Sequence, residues 1–304
     1  MKKIIITTTI NKPTEAIIKY ANMSEWQFII AGDLKTPHNE YNNINCTYLH
    51  PEEQEIKYKD ISDIIGWNTI DRRNIAILEA YRLGADVIAT IDDDNIPYDN
   101  WGKDLLVNKE IVCDLYESEN NVFDPLSVTE HNHLWHRGYP IEYLKNKNNV
   151  KYKGKTKRKV LIQADLWDGD PDIDAIARIT YKPIIKFKSI NPYCSNQISP
   201  FNSQNTFLSR EVIPYYSCIP HTERMNDIWG SYILQYYFPN SVVYNRSSVY
   251  QERNVHDLTV DLENEMIGYK HNLNLLNNLD NFLLFLPEKT KLYWKYYRKY
   301  FNNK

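Results

Sequence analysis

Glycine is the residue that this sequence most visibly lacks. Nine glycines occur in 304 residues, which is less than half of the usual share of roughly 7%. A glycine-rich loop that wraps a phosphate needs several of them close together, because only glycine lets the backbone approach the ligand so closely. The shortage argues against such a loop, so a bound phosphate would be held by side chains or by a metal.

Linked cysteines and a surplus of one charge are also missing. No two cysteines have C-x-x-C spacing, so we expect scattered, reduced thiols and neither a zinc ribbon nor a redox motif. The cysteines are Cys46, Cys113, Cys194 and Cys218. The 36 basic and 39 acidic side chains give a formal charge of −3. This balance disfavours a nucleic-acid partner, because phosphate backbones attract proteins with a basic surplus.

Long apolar runs are absent as well. The N-terminal apolar run ends at Thr7, which is too short for a signal peptide, and no window approaches 18 apolar residues. We therefore expect a cytoplasmic protein that is at most peripherally associated with a membrane. The oligomeric state is left open.

The N-terminal third alternates segments typical of strands with segments typical of helices. Apolar or β-branched runs at 3–9, 26–31 and 85–91 predict strands, and the patterns at 14–21 and 68–83 predict helices, the second of them amphipathic. This alternation favours an α/β fold with a mainly parallel sheet. Ligands of such sheets bind beyond the carboxyl ends of the strands, so the polar residues there should converge on one cleft. These residues are Thr7 to Thr9, Asp33 and Asp92 to Asp94.

Three aspartates follow the third predicted strand directly. Like charges this close raise one another's pKa, and a hard divalent cation removes the conflict. Alternate residues of an extended segment point the same way, so Asp92 and Asp94 can share an ion while Asp93 faces elsewhere. The segment predicts a Mn²⁺ or Mg²⁺ site completed by a diphosphate. The alternative is a solvated acidic turn that caps the next helix.

Other charged segments carry weaker signals. Arg72 and Arg73 could meet a diphosphate or a nucleobase edge, or could simply be solvated. The alternating acids of 168–174 suit sugar hydroxyls, and they lack the spacing of a calcium-binding EF-hand. Asp227 begins an apolar helix, as a cap or as a general base. The basic stretch 145–159 predicts a solvated loop or edge hairpin, with a phosphate-binding loop as the alternative.

Several of these segments occur together, in this order, in one family. They are TIDDD at 90–94, RGYP at 137–140, LW at 166–167, PDIDA at 171–175 and DIW at 227–229. On them the chain resembles the reversibly glycosylated polypeptide/UDP-arabinopyranose mutase family. On residues 168–175 and 199–206 it resembles the STELLO-type glycosyltransferase-like proteins more closely. The resemblance spans roughly 3–270 and implies a GT-A fold, a UDP-sugar donor and Mn²⁺ or Mg²⁺ at the triple aspartate.

The resemblance also implies residue roles. It assigns the metal and diphosphate to Asp92 and Asp94, and places Asp93 near the ribose or sugar. Uridine and nucleotide binding fall to Thr7, Thr8, Asp33, Arg72 and Arg73. Sugar or acceptor binding falls to Asp172, Asp174, Asn205 and Trp229.

Two residues are implied to be catalytic. Asp227 matches a catalytic or acceptor-positioning carboxylate, and Arg137 matches the arginine that becomes glycosylated in the polypeptide family. The mutases place a Trp-His pair after their last strand, and this sequence does not. His256 could bind the metal if the alignment with the family is shifted along the sequence. The alternative is a surface histidine, or one that contacts the metal ligands and not the metal.

Together these features predict a metal-dependent GT-A glycosyltransferase that moves a sugar from a UDP-sugar to the hydroxyl of a carbohydrate or glycan acceptor. The alternatives are a UDP-sugar mutase and a sugar-nucleotide-binding scaffold without turnover. We expect a catalytic domain at 1–260 and a C-terminal helical extension at 261–304. The aromatic and basic tail at 289–304 predicts a helix packed on the body, or else a membrane-surface contact.

Overall fold

A computed structural model describes residues 1–253 and 257–302. Eleven strands in this part of the chain form one sheet. They are β1 (Lys3–Thr9), β2 (Gln27–Gly32), β3 (Thr47–Leu49), β4 (Val87–Ile91), β5 (Asn95–Pro97), β6 (Glu110–Ser118), β7 (Val150–Lys159), β8 (Ile162–Gly169), β9 (Tyr193–Cys194), β10 (Asn205–Ser209) and β11 (Val242–Gln251).

Eight α-helices accompany the sheet in the described residues. They are α1 (Glu15–Ala21), α2 (Pro51–Lys57), α3 (Lys59–Ile65), α4 (Arg73–Arg82), α5 (Ala175–Tyr181), α6 (Asn226–Tyr237), α7 (Leu258–Leu276) and α8 (Glu288–Asn302). Short 3₁₀ turns include Ile70–Arg72, Glu223–Met225 and Leu279–Phe285.

The sheet is parallel in its N-terminal part and mixed beyond it. Its order is β3-β2-β1-β4-β10-β8-β11-β9-β6-β7, with β5 paired to β11. Strands β3, β2, β1 and β4 are mutually parallel, whereas β10 runs antiparallel to both β4 and β8. The predicted α/β fold with a mixed sheet and flanking helices is confirmed.

Alternation along β1 distributes its side chains between the two faces of the sheet. Ile5 packs in the same cluster as Ile17 and Tyr20 of α1. Ile4 and Ile6 pack in a second cluster, which the helices α3, α4 and α8 cover. Both faces are therefore buried, as expected for parallel strands with continuous apolar runs.

The helix predicted at 68–83 is shorter than expected and is not amphipathic. Asn68 has a left-handed φ of 58°, and the Thr69 side chain caps a 3₁₀ turn, so α4 begins only at Arg73. From Arg73 to Ala80 every residue is buried, because α4 is covered on all sides. Its end is as predicted, since Gly84 has a φ of 83° just after the last turn.

The basic stretch predicted as a loop or edge hairpin forms an edge strand. Strand β7 pairs antiparallel with β6, and its lysines reach acids on that neighbour. Lys153 lies 3.0 Å from Glu117, and Lys157 lies 3.7 Å from Glu110. These exposed pairs contribute little to stability.

Two cysteines that are far apart in the sequence lie together, which corrects the expectation of scattered thiols. Cys113 on β6 and Cys194 on β9 bring their Sγ atoms to 3.4 Å, and both are buried. All four cysteines, each within the described residues, are free thiols.

The aromatic and basic tail forms α8 and packs on the body. Tyr293, Trp294, Tyr297 and Phe301 are buried, and the Tyr297 hydroxyl donates to the Tyr216 carbonyl oxygen at 2.6 Å. The helix thus completes the core, whereas a separate extension beginning at residue 261 stays a prediction. Within the described residues no helix has the length and hydropathy needed to cross a bilayer.

Candidate functional site

A polar cleft of about 640 Å³ opens at the carboxyl ends of β1 and β4. Because these strands are parallel neighbours, their last residues meet at one edge of the sheet. The sequence-predicted residues that line it are Thr8, Arg73, Asp92, Asp93, Asp94, Arg137, Asp172 and Asp227.

The first aspartate of the triple is held by an arginine. Arg73, the first residue of α4, donates from Nη2 to Asp92 and, at 3.1 Å, to the Ile91 carbonyl oxygen, and from Nη1 to Ser203 Oγ. Burial raises the pKa of Asp92, and Arg73 opposes this effect. A fixed cation therefore stands beside the carboxylates at the end of β4, where an anionic group could meet it.

The other two aspartates also line the cleft. Asp93 accepts hydrogen bonds from Thr9 Oγ1 and, at 2.9 Å, from Asn11 Nδ2, so its side chain is bound to the loop after β1. Asp94 lines the cleft beside Asp92 and Asp93.

The donor chemistry suits a hard divalent cation held in part by a ligand. Carboxylate oxygens from one or two aspartates are what Mg²⁺ or Mn²⁺ takes from a protein when a diphosphate supplies further oxygens. Over residues 1–253 and 257–302, no group of three or more His, Cys, Asp or Glu side chains is arranged to hold an ion by itself. A metal here would accordingly depend on oxygens of the bound ligand. His256 lies outside the described residues.

Arg137 lies at the centre of the second half of the site. Its Nε donates to both oxygens of Asp172, at 3.2 and 3.1 Å, and its Nη2 donates to Asp172 Oδ2 at 2.7 Å. Nη1 and Nη2 donate to the two oxygens of Asp227 at 2.9 and 3.2 Å, and Nη1 also donates to the Arg224 carbonyl oxygen. All of the guanidinium nitrogens are thus engaged by two buried carboxylates and a backbone oxygen.

The backbone next to Arg137 requires glycine. Gly138 has a φ of 87°, and a Cβ placed there would lie 2.2 Å from Ile228 Cγ2. Its carbonyl oxygen accepts from the Tyr232 hydroxyl at 2.7 Å and from Asn272 Nδ2 at 2.9 Å. The RGYP segment is therefore pinned to α6 and α7, which holds Arg137 in place.

Asp227 is saturated by hydrogen bonds. Besides Arg137, it accepts from the Ser203 amide at 2.9 Å, from Ser203 Oγ at 3.1 Å and from the Ile228 amide at 2.9 Å. Burial would raise its pKa, but Arg137 outweighs burial and keeps the pKa below its ordinary value. Such a carboxylate stays ionised at neutral pH and is a weak base.

Asp172 is surrounded by arginines. Arg224 and Arg253 each place Nη2 at 3.7 Å from Asp172 Oδ1, in addition to the bonds from Arg137. Asn202 Nδ2 donates to Oδ2 at 3.0 Å. Although burial opposes the charge, the arginines hold the pKa of Asp172 well below its usual range.

Three residues predicted to bind the nucleotide do not line the cleft. Thr7 Oγ1 donates to the Ile91 carbonyl oxygen at 2.8 Å, so it ties β1 to β4. Asp33 accepts from the amides of Asn68 and Thr69 at 2.7 and 3.1 Å. Arg72 is fully buried and donates to Gln54 Oε1 at 3.0 Å and to Ser62 Oγ at 2.9 Å.

Three residues predicted to bind the sugar or acceptor are also buried away from the cleft. Asp174 Oδ1 caps α5 by accepting from the Ile176 amide at 2.9 Å. Asn205 Oδ1 accepts from Trp101 Nε1 at 2.9 Å. Trp229 Nε1 donates to Asn272 Oδ1 at 2.8 Å. Each has an evident structural role in packing the elements around the cleft.

The sequence does not predict several of the cleft residues, among them Asp71 and Trp67. Asp71 accepts from Asn226 Nδ2 at 2.8 Å, and burial raises its pKa to about 6. Trp67 lines the same wall and is partly exposed. A tryptophan in the polar stretch Gly66–Thr69 just before a helix was the available signal, since large aromatics in polar loops often contact ligands.

Comparison with known proteins gives a limited result. No protein-family model matches the chain, and no curated protein matches it. Among solved structures it is similar to glucosyl-3-phosphoglycerate synthase from Mycobacterium tuberculosis, in complex with phosphoglyceric acid, at 10% identity and a TM-score of 0.48. The match covers 90% of this chain and 80% of that one. A similarity of 10% identity and a TM-score of 0.48 says nothing about the ligand that the cleft binds.

Proposed function

We propose that this protein is a GT-A-type glycosyltransferase that transfers a sugar from a UDP-sugar to an acceptor hydroxyl. The observation that carries the proposal is the pairing of Asp92 with Arg73 within a triple aspartate at the end of β4, inside the polar cleft. A carboxylate pair that can take a divalent ion, next to a fixed guanidinium, is suited to a diphosphate leaving group.

Asp92 and Asp94 would hold Mn²⁺ or Mg²⁺ together with the diphosphate. The ion would supply charge stabilisation for the departing nucleoside diphosphate. Arg73 supplies a second positive charge whose position Ser203 and the Ile91 carbonyl oxygen fix. Because this guanidinium is already oriented, it does not have to reorganise when negative charge develops.

The second half of the cleft binds and orients the sugar or the acceptor. Asp172 and Asp227 are ionised, rigidly held and aligned along the Arg137 guanidinium. Since both oxygens of Asp227 already accept hydrogen bonds, we assign this residue to acceptor positioning through the Arg137 and Ser203 groups that it holds, ahead of proton abstraction. Proximity and orientation are themselves large contributions to rate.

The sugar-transfer reaction is favoured over glycosylation of Arg137. To become an acceptor, the Arg137 guanidinium would have to leave two buried carboxylates and the Arg224 carbonyl oxygen. Separating such a buried pair costs roughly 3–5 kcal/mol. An acceptor hydroxyl that diffuses into the cleft meets no such cost.

Thermal unfolding with a panel of nucleotide sugars tests the proposal. UDP-sugars with Mn²⁺ should raise the melting temperature, since ligands that bind the folded state stabilise it according to their affinity. Asp94→Asn, and Asp92→Asn with Asp94→Asn, should abolish the Mn²⁺-dependent part of the shift. Asp104→Asn is the control, because Asp104 is 72% exposed and pairs with Arg246 on the surface.

Two results would count against the proposal. One is a wild-type protein that no nucleotide sugar stabilises, with or without Mn²⁺. The other is a double variant that keeps the wild-type shift. Binding of UDP without transfer to any acceptor and without slow donor hydrolysis would indicate the scaffold instead.

A further inference from the structure

The loop that precedes α4 presents a tryptophan to the cleft in a fixed position. Trp67 stands between two residues with left-handed backbone, Gly66 at a φ of 76° and Asn68 at a φ of 58°. The Asp33 carboxylate accepts from the amides of Asn68 and Thr69, as described above. The loop is therefore held to the end of β2 on the C-terminal side of the tryptophan.

A buried cation supports the ring. The guanidinium carbon of Arg72 lies 3.7 Å from the centroid of a Trp67 ring. Arg72 is 0% exposed and is itself fixed by Gln54 and Ser62. A cation–π contact with an arginine that cannot move restricts the tilt and position of the indole.

Trp67 also differs from the other tryptophans in its exposure. All seven lie in the described residues, and the six others are buried, at 9% exposure or less. Trp67 is partly exposed and lines the cleft next to Thr69 and Asp71. A partly exposed indole in the lining of a cleft has ring surface that a ligand can contact, and it contributes less to the core than a buried one.

We propose that Trp67 is the stacking platform for the base of the nucleotide, with Arg72 as its support. The inference rests on the proposed function, because it requires a nucleotide in the cleft. A planar heteroaromatic base gains most from a flat ring that is already immobilised. Asn68, the exposed residue that follows Trp67 in the sequence, carries a side-chain amide with a donor and an acceptor for the edge of a base.

The chain order places this platform near the diphosphate end of the cleft. Five residues lie between Trp67 and Arg73, and one of them, Asp71, also lines the cleft. The single segment 67–73 thus contributes both the ring and the cation that pairs with Asp92. A nucleotide could lie along this segment with its base at Trp67 and its phosphates toward Arg73.

Calorimetric titration of Trp67→Ala and Trp67→Phe tests the platform. In Mn²⁺, UDP should bind Trp67→Ala roughly 5- to 150-fold more weakly than wild type, the factor expected for one lost base stack. Trp67→Phe keeps a stacking face and should stay within about fivefold of wild type. Inorganic pyrophosphate, which has no base, should bind all three proteins equally.

Fluorescence gives a second measurement on the wild-type protein. UDP should quench the emission of Trp67 and protect it from acrylamide, whereas Mn²⁺ with pyrophosphate should do neither. The emission of Trp67→Phe should not respond to UDP.

The outcomes separate this inference from the proposed function. Equal UDP affinity of wild type and Trp67→Ala overturns the platform and leaves the function standing. Loss of UDP-sugar affinity with unchanged UDP affinity also overturns it, because the ring would then contact the sugar. Equal losses for UDP and pyrophosphate would show that the ring only supports the loop. If wild type binds neither ligand, the proposed function fails, and the platform fails with it.

Discussion

Arg137 and Asp227, 90 residues apart in the sequence, are joined by two hydrogen bonds of 2.9 and 3.2 Å. The same guanidinium binds Asp172 on its other edge. Because the three groups are buried and line the cleft, the pair is a structural element of it, and under the proposed function it is the part that would bind the sugar or the acceptor.

Replacing Arg137 by lysine should therefore damage stability and activity together. A lysine has three N–H donors on a single nitrogen and cannot reach both carboxylates in the same way. We expect Arg137→Lys to lower the free energy of unfolding by roughly 3 kcal/mol, measured in urea, since one buried carboxylate loses its partner. Lys159→Met, which removes an exposed pair with Glu211, should cost less than about 1 kcal/mol. Similar losses for the two variants would contradict the assignment.

Asp174 should make the free energy of unfolding depend on pH. Burial, followed by the charge of Glu265, raises its pKa to about 7 in the folded protein from an ordinary value of 3.8. The folded state then binds more protons than the unfolded state, so this contribution is complete below about pH 4 and is lost as the pH rises through 7.

Asp174→Asn should remove that loss at high pH. Asparagine is also a good N-cap, so the bond to the Ile176 amide can be kept. We expect the variant to be more stable than wild type by about 2 kcal/mol at pH 8, and to show little difference at pH 4. Denaturant unfolding at both pH values measures this. A gain of the same size at both values would show that Asp174 does not titrate as described.

The thiols of Cys113 and Cys194 should be joined by mild oxidation. A hydrogen bond from Cys113 and the nearby Arg158, which together outweigh burial, lower the pKa of Cys194 to about 6, so this thiol ionises at neutral pH. Diamide, which takes up the two hydrogens, should give an intramolecular disulfide that peptide mass spectrometry locates. Cys194→Ser should prevent it, and Cys46→Ser should not. A bridge that uses Cys46 or Cys218 in the native protein would refute the pairing.

The role of the tail can be tested without deleting it. Tyr297 and Phe301 are part of the core, so Tyr297→Ala should destabilise the protein by roughly 3 kcal/mol in thermal or urea unfolding. Lys295 and Lys299 are exposed, and their replacement by glutamate should leave stability within about 0.5 kcal/mol of wild type. Liposome flotation of the lysine variant then measures membrane contact alone. Unchanged stability of Tyr297→Ala would mean that α8 is not docked as described.

Local patterns predict β1, α1, β2 and β4 in the first third of the chain, but they do not predict β3, α2 and α3. The strand at 3–9 has the predicted bounds, and the helix after it begins one residue late because Thr14 is its cap. The sequence also predicts that the triple aspartate lies in the cleft, because it follows a buried strand at the sheet edge where ligands bind, and adjacent carboxylates are costly without a cation. These features depend on residues close together in the sequence, which is where propensity and capping act.

The sequence could not show which polar side chains form their hydrogen bonds within the protein and are therefore not free to bind a ligand. Asp33, Arg72 and Asn205 have the side chains of a binding site, but each is satisfied by partners from other elements. Such pairings join residues that are 18 to 104 positions apart. The same limit hid the contact of Cys113 with Cys194 and the exposure of Trp67, because both follow from how the elements pack.

The docking of α8 has a consequence for how the protein is made. Phe301 meets Tyr81 edge-on at 4.7 Å between ring centroids, and Tyr300 meets Tyr58 at 5.9 Å. The apolar surface beneath α3 and α4 therefore stays open during synthesis until residue 301 has left the ribosome. A nascent chain that already contains the whole sheet therefore still exposes this apolar surface, and exposed surface of this kind makes folding intermediates prone to aggregation.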